Sequence, residues 1–307
     1  MKKIFIDGSA GTTGLRIAER LEGRTDISII KLTEENRKDP NARRDAINSA
    51  DIAFLCLPDD AAREAVSLVE SEDTVIIDTS TAHRTSDGWT YGFPEIHGLR
   101  EEIKTSKRIA NPGCYASGFI SLIAPLVENG IIDKDASLSA FGISGYSGGG
   151  KKMIAAYEAE QRDPLFEAPR IYALTQSHKH LPEMAKISGL SVLPVFSPIV
   201  SSYYSGMEIC VPLFAKDING TPEDIEKIYI NYYNNGLVRY VKDPDENGFL
   251  SAVSLSGKDS MQVSVTGNDE RILLVSRFDN LGKGASGAAI QNMNIAMGIK
   301  EDTGLIL

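Results

Sequence analysis

The hydrophobic pattern at the start of the chain predicts a strand, a glycine turn and a helix in immediate succession. Lys2 to Ile6 is a short apolar run, and apolar residues return at helical spacing between Leu15 and Leu21. The turn between them has the pattern GxxGxxG. Glycines let the backbone approach a pyrophosphate, and the helix start offers N–H donors to it. We therefore expect a dinucleotide at this turn, held by Gly8, Ser9, Gly11, Thr12, Thr13 and Gly14.

The following segments alternate between strand and helix, as a parallel sheet demands. The predicted elements are strands at Ile27 to Leu32, Asp51 to Leu57 and Thr74 to Asp78, and a helix at Asp59 to Val69. This pattern predicts an α/β domain with a Rossmann-like, doubly wound parallel sheet.

The end of the second strand bears on which dinucleotide binds. A domain that reads the ribose 2′-hydroxyl of NAD usually places Asp or Glu there. Here the strand leads into Thr33, Arg37 and Lys38, and a hydroxyl with two cations suits a 2′-phosphate. NADP is favoured, although the two cations could also belong to an ordinary solvated loop.

After residue 113 the pattern changes to longer β segments, which predicts an α+β second domain built on one mixed sheet. The segments are Ser137 to Ser144, Ile171 to Thr175, Ser205 to Phe214, Met261 to Thr266 and Arg271 to Phe278. The small apolar residues from Gly284 to Met297 recur at helical spacing and should pack back on the first domain. We place the nucleotide-binding domain at residues 1–113 and 283–307, and the catalytic, substrate-binding and oligomerisation domain at residues 114–282.

Composition narrows the function classes. The chain has 307 residues, 42% of them hydrophobic, which is enough for two cores. A net charge of −10 argues against nucleic acid and membrane surfaces as partners. No apolar stretch has the length of a membrane span or the form of a signal segment, so we expect a cytoplasmic protein. Three widely separated cysteines, Cys56, Cys114 and Cys210, disfavour disulfides and a zinc site.

One cysteine is a candidate nucleophile. Cys114 follows Asn111-Pro112-Gly113 and opens an apolar helix predicted to run to Val127. The unpaired N–H groups and the positive dipole end of a helix start favour a thiolate. The alternative is a small buried hydrophobic residue, which is the usual role of a free cysteine.

A glycine-rich turn from Ser144 to Lys151 precedes a helix predicted at Met153 to Glu160. Its N–H groups, hydroxyls and Lys151 could converge on an anion. The turn also contains GxSxG around Ser147, so a serine hydrolase with His178 as base is a competing interpretation.

A pair of histidines, His178 and His180, lies at a predicted strand end. Residues two apart on an extended segment share one face, so metal binding must be considered. Lys179 between them would oppose a cation, and no third ligand is evident, so we expect no metal. A histidine near a thiolate is instead a natural proton carrier.

Together these motifs resemble the N-acetyl-γ-glutamyl-phosphate reductases, within the aspartate-semialdehyde dehydrogenase superfamily. The resemblance rests on Asn111 to Cys114, Ser144 to Lys151, His178 to Glu183 and Asp279 to Asn292. The length and the stretches Asp78 to Arg84 and Tyr91 to Glu95 are similar to its shorter, second type. The longer type usually has Arg where Lys179 stands.

The resemblance implies NADPH-dependent reduction of an acyl phosphate through a thioester on Cys114, with His178 moving protons. It also implies that Tyr172, His180 and Glu183 line the substrate site. Arg84, Ser144, Gly145 and Lys151 are further candidates for the substrate, and Ser80, Asn280 and Asn292, which lie in the matching motifs, for the cofactor. A homo-oligomer, dimer or tetramer, is expected because a domain with one open sheet face usually buries it. An aspartate-semialdehyde dehydrogenase-like reductase and a non-catalytic nucleotide sensor stay open as alternatives.

Overall fold

The computed structural model describes residues 1–234 and 236–307, which form two compact units. The first comprises Met1–Pro112 and Ala285–Leu305, and the second comprises Gly113–Gly284 and Ile306–Leu307. The sequence places the last two residues with the first unit, but the structure places them with the second. Two hydrogen bonds hold them there. The Asp259 N–H donates to the Ile306 carbonyl at 2.6 Å, and the Ile306 N–H donates to the Asp259 carboxylate at 2.9 Å.

The first unit is built on a six-stranded parallel sheet with the order β2-β1-β3-β4-β6-β5. This confirms the predicted Rossmann-like fold class. Its strands are β1 (Lys2–Asp7), β2 (Ile27–Ile30), β3 (Ile52–Leu55), β4 (Val75–Asp78), β5 (Thr90–Tyr91) and β6 (Arg108–Ala110).

Helices cover both faces of this sheet, as parallel strands require. They are α1 (Thr12–Leu21), α2 (Pro40–Ser49), α3 (Asp59–Ser67), α4 (Leu99–Thr105) and α9 (Gly287–Ala296). Ile290, Met293 and Ile295 of α9 share one core cluster with Ile4 and Ile77 of the sheet. The C-terminal helix therefore completes a core that the first 112 residues leave unfinished.

The second unit is built on a seven-stranded mixed sheet with the order β11-β12-β13-β10-β7-β9-β8. The strands are β7 (Ser139–Gly145), β8 (Arg170–Ile171), β9 (Val195–Ser201), β10 (Met207–Phe214), β11 (Val238–Tyr240), β12 (Met261–Gly267) and β13 (Arg271–Phe278). The helices are α5 (Cys114–Glu128), α6 (Gly150–Tyr157), α7 (Leu181–Ser188) and α8 (Pro222–Tyr232). The mixed sheet confirms the predicted second fold class.

Helix α5 packs closely on one face of this sheet. A Cβ at Gly118 would overlap Ile209 and lie 2.8 Å from Ser276 Oγ, so only glycine allows this approach. Side chains alternate along each strand, which places Ile143 and Val195 on the opposite face, called here the outer face. Val195 is 58% exposed. The inner face of the sheet is therefore covered by α5, whereas the outer face presents an exposed apolar side chain.

Several predicted elements differ from the observed ones in their bounds, and one observed strand is missing from the prediction. The strand predicted at Ile171 to Thr175 ends at Ile171, because Ala173 and Gln176 have φ of 53° and 55°, which a strand does not allow. Strand β9 was not predicted, since Pro198 in its interior argues against a central strand. The helix predicted from Gly284 begins at Gly287, after a π turn over Gly282–Ser286.

None of the helices in the described part of the chain combines the length and apolar character that crossing a membrane requires. The cytoplasmic location stays a prediction.

Candidate active site

The glycine turn of the first unit has the geometry of a phosphate cradle. Gly8 has φ of +84°, and a Cβ there would collide with the carbonyl oxygen of Cys56. Gly14 is equally constrained, since its Cβ would lie 2.5 Å from the Gly8 carbonyl oxygen. Gly11 donates to that oxygen at 2.9 Å and immediately precedes α1, which Thr12 and Thr13 begin. Glycines are thus required here because the turn folds tightly against its own backbone and that of Cys56, which keeps the turn compact just ahead of the N–H groups of the helix start.

A cavity of about 600 Å³ borders this turn, and we call it the nucleotide cavity. Gly8 and Ser9 line it together with Arg37 and Lys38, so the structure brings together the turn and the cations predicted for a 2′-phosphate. Arg37 also pairs with Glu34 at 2.9 Å. Thr33 is exposed and is not among the lining residues.

Three other residues predicted to contact the cofactor are bonded within the fold. Ser80 is buried, and its hydroxyl donates to Asp78 at 2.7 Å. Asn292, on α9, is fully buried and donates to the Gly92 carbonyl at 2.9 Å. Asn280 lies in the second unit, where its amide accepts from the Gly206 N–H and donates to Ser147. Their cofactor contacts stay predictions.

Cys114 is the first residue of α5, and the extended Gly113 precedes it. The first turn of this helix reads Cys-Tyr-Ala-Ser and contributes no carboxylate to the positive end of the helix dipole, although the Glu183 carboxylate accepts from the preceding Gly113 N–H. The cysteine is half-buried, and Gly284 approaches it so closely that a Cβ there would lie 3.0 Å from Cys114 Cβ. This setting favours the thiolate.

An aromatic cluster contains three of the predicted substrate and catalytic residues. The rings of His178 and His180 lie 4.7 Å apart, and that of Tyr172 lies 5.8 Å from His178. Desolvation of its hydroxyl raises the pKa of Tyr172 to about 12, although the residue as a whole is 36% exposed. The cluster also includes Tyr115 and Phe196, within 5.8 Å of the His178 ring.

The sequence analysis missed Tyr115 and Phe196. Tyr115 could have been found, because it directly follows the candidate nucleophile. Phe196 lies on β9, the strand that was not predicted because it contains a proline.

His178 is held as a neutral ring. Burial, and then Lys179, lower its pKa to about 4. The backbone N–H of His180 donates to His178 Nδ1 at 3.2 Å, so the proton of the neutral ring belongs on Nε2. The two histidines lie in a loop that leads into α7, and not on the extended strand we predicted.

Glu183 connects this cluster to the nucleophile. It is 1% exposed, accepts from the Gly113 N–H at 3.3 Å, and lies 3.8 Å from His180 Nε2. Its carboxylate therefore fixes the residue before Cys114 and one ring of the histidine pair.

The glycine-rich turn differs from the anion cradle we expected. The N–H groups of Gly145, Tyr146 and Ser147 donate to carbonyl oxygens of residues 203–206. Ser144 is buried and donates to the Gly145 carbonyl, whereas Lys151 is exposed on α6. Most of the N–H groups in the turn therefore bond to the protein's own backbone. Lys151 is the charged side chain of the turn, and it is exposed to solvent.

The same contacts argue against a serine nucleophile. Ser147 is 2% exposed, and its Oγ accepts from the Asn280 amide at 2.9 Å. A nucleophilic serine needs an exposed Oγ bonded to a base.

Arg84 lies in the first unit and is 9% exposed. Its Nε donates to the Asn111 carbonyl at 3.0 Å, and its Nη2 donates to the Thr79 carbonyl at 3.1 Å. It therefore holds the strand that leads to the cysteine, and a substrate contact by Arg84 stays a prediction.

Among residues 1–234 and 236–307, no group of three or more His, Cys, Asp or Glu side chains is arranged to hold a metal ion.

Two family models match the chain. Residues 3–106 match the NAD binding domain of semialdehyde dehydrogenases, and residues 114–280 match their dimerisation domain. N-acetyl-gamma-glutamyl-phosphate reductase 2 of a Nostoc species is 46% identical, with 99% of each chain covered. The N-acetyl-gamma-glutamyl-phosphate reductase of Rhizobium meliloti is 45% identical, with 96% of this chain and 98% of the relative covered.

The chain belongs to the N-acetyl-gamma-glutamyl-phosphate reductase family. Membership makes it an oxidoreductase, as the sequence motifs predict. Solved structures agree on the fold. Aspartate semialdehyde dehydrogenase II of Vibrio cholerae superposes with a TM-score of 0.72 at 16% identity, covering 97% of this chain and 98% of that one. The Francisella tularensis enzyme gives 0.72 at 14% identity, covering 97% and 100%. This reductase family therefore shares its architecture with semialdehyde dehydrogenases.

Proposed function

We propose that this enzyme reduces N-acetyl-γ-glutamyl phosphate to N-acetylglutamate semialdehyde and phosphate with NADPH, as a step of arginine biosynthesis. The observation that carries the proposal is Cys114 at the start of α5, flanked by Gly113, which is bonded to Glu183, and by Tyr115, whose ring lies 5.8 and 6.1 Å from those of His178 and His180. Relatives of that name match nearly the whole chain at 44 to 46% identity.

The first step is thiolate attack. The sulfur of Cys114 bonds to the acyl carbon, the bond from that carbon to the phosphate oxygen breaks, and phosphate leaves. The positive end of the helix dipole at the start of α5 stabilises the anionic form of the cysteine. A thioester on Cys114 results.

NADPH fits the nucleotide cavity, because the compact glycine turn, which precedes the start of α1, and two cations line the same space. When bound, it supplies the hydride that reduces the thioester carbon. In this proposal Gly8, Gly11 and Gly14 approach the pyrophosphate, while Arg37 and Lys38 hold the 2′-phosphate.

His178 serves the carbonyl oxygen. The neutral ring with its proton on Nε2 donates a hydrogen bond to that oxygen, which carries negative charge in each tetrahedral intermediate. Collapse of the second intermediate releases the aldehyde and regenerates the thiolate. The one proton that the overall reaction consumes goes from solvent to the phosphate released in the first step, so the ring transfers no proton in this proposal. In this proposal the hydrogen-bond donor role takes the place of the proton-carrier role that we predicted from sequence, because a ring with a pKa near 4 is neutral at neutral pH.

The second unit also carries the subunit contact in this proposal. The matching family model is a dimerisation domain, and the outer face of the mixed sheet presents Ile143, Ile199 and Val195. We assign this face to a homodimer.

The reverse reaction tests the function. Purified enzyme should form NADPH from N-acetylglutamate semialdehyde, phosphate and NADP, and should form far less from aspartate semialdehyde. Cys114→Ser should bind NADPH normally and lose turnover, because its alcohol is not ionised at neutral pH. Preference for aspartate semialdehyde would favour the related dehydrogenase activity, and turnover that survives Cys114→Ser would remove the cysteine from the mechanism. NADPH binding with no turnover of either aldehyde would favour a nucleotide sensor.

A further inference from the structure

Arg43 is a buried cation that the sequence motifs did not single out. It lies on α2 and is 7% exposed. Its Nε donates to Asp7 at 3.0 Å, and its Nη1 donates to Glu64 at 3.1 Å. Because Asp7 ends β1 and Glu64 lies on α3, the guanidinium ties three elements together.

The third nitrogen of the guanidinium is unused. Nη2 is buried, and among the described residues it has no hydrogen-bond acceptor. A donor on a charged group that is taken out of water without an acceptor is costly, so native structures rarely leave one.

All three charged residues line the nucleotide cavity, next to Gly8. Asp7 also accepts from the Gly8 N–H. Burial raises the pKa of Asp7, and the Arg43 guanidinium opposes that rise. The network therefore borders the ligand space and is bonded to the first glycine of the turn.

We propose that Arg43 is a cofactor-binding residue whose Nη2 donates to a neutral acceptor, a ring nitrogen or ribose oxygen, on the adenosine half of the dinucleotide. Two carboxylates already face its single positive charge, so a phosphate dianion is repelled there. Arg37 and Lys38, which line the same cavity, are better placed for phosphate. Leu57 and Ala61 line it as well and offer apolar surface to a flat base. The assignment rests on the dinucleotide site of the proposed function.

Binding measurements on Arg43→Lys test this assignment. Lysine keeps a positive charge for Asp7 but lacks the third nitrogen of the fork. We expect the affinities for NADPH, NADH and 5′-AMP all to fall by roughly tenfold, the loss of one charged hydrogen bond, with the NADPH-to-NADH ratio unchanged. Arg44→Lys is the matched control, since Arg44 lies on the same helix and bonds to Asn41.

Several outcomes would overturn the assignment. Unchanged affinities in Arg43→Lys, with or without a lower unfolding midpoint in the absence of nucleotide, would leave Arg43 a purely structural role. Selective loss of NADPH would assign it to the 2′-phosphate. A wild-type enzyme that binds none of the three nucleotides would refute the proposed function as well. Normal nucleotide binding without reductase turnover would refute the proposed function alone.

Discussion

At the scale of single residues, the proposed chemistry depends on the charge states of Cys114 and His178. Cys114 has the positive end of a helix beside it, and His178 is kept from becoming a second positive charge. Burial and Lys179 both lower the pKa of the histidine, to about 4. In the proposed mechanism the Cys114 thiolate is therefore stabilised by the helix start and not by an imidazolium, which the sequence pattern alone did not reveal.

Replacing Lys179 with Met should raise the pKa of His178 toward its usual value of about 6.5, because one of the two causes of its depression is removed. NMR titration of the four histidines measures this, with the His178 signal assigned from its loss in His178→Asn. Lys152→Met, at an exposed position on α6, is the control. A wild-type His178 that titrates near 6.5 would contradict the neutral-ring interpretation.

The same depressed pKa has a consequence for stability. Below pH 6.5 the unfolded chain binds a proton at His178 that the folded chain does not bind until about pH 4. The contribution of this residue is therefore present above pH 6.5 and is lost as the pH falls toward 4.

The proposed preference for NADPH also rests on individual side chains. Arg37→Ala with Lys38→Ala should weaken NADPH binding roughly tenfold while NADH binding changes little, since only NADPH carries the 2′-phosphate. Fluorescence titration at fixed ionic strength measures both. Glu34→Gln, which frees Arg37 from its ion pair, should preserve or strengthen NADPH binding. Equal weakening of the two cofactors would show that these cations act elsewhere.

At the scale of elements, the fit of α5 on the mixed sheet positions the nucleophile. Gly118→Ala should lower the free energy of unfolding despite the better helix propensity of alanine. Overpacking costs about 1–3 kcal/mol, against a gain of up to about 1 kcal/mol. Urea denaturation measures the difference. The double variant with Ile209→Ala should lose less stability than the sum of the single variants, and a more stable Gly118→Ala would show that the sheet can yield.

Elements with strong periodicity could be predicted from sequence, and those set by tertiary contacts could not. Strand β13 has the predicted bounds, Arg271 to Phe278, because its apolar run from Ile272 to Val275 is rich in strand-favouring residues. Strand β9 contains a proline and is recognisable only through its pairing with β7. The glycine turn and Cys114 were found because local geometry defines them. Arg43, Phe196 and the use of Glu183 as a bridge depend on residues far apart in sequence.

At the scale of the whole molecule, exposed apolar surface is concentrated in one unit. Among the described residues, the exposed large apolar side chains of the first unit are Met1 and Leu15, and the others lie in the second unit. Several of these, such as Val195 and Phe214, lie on the outer face of the mixed sheet. A surface of this kind marks an association site.

Val195→Lys should convert the proposed homodimer into monomers, because the substitution puts a charge into the buried contact but is well solvated in the free subunit. Sedimentation equilibrium measures the mass. Val253→Lys, at another exposed valine of the second unit, should leave the mass unchanged. A dimeric Val195→Lys would move the contact away from this face.

The C-terminal segment of the chain belongs to the first unit, and this sets the order in which the two units can fold during synthesis. The second unit is continuous from Gly113 to Gly284 apart from two C-terminal residues, whereas the core of the first needs Ile290, Met293 and Ile295. Units fold as the ribosome releases them, so the unit that holds Cys114 can fold while the nucleotide-binding unit still waits for its last helix. The growing chain can therefore complete the unit that holds Cys114 before the unit that holds the glycine turn.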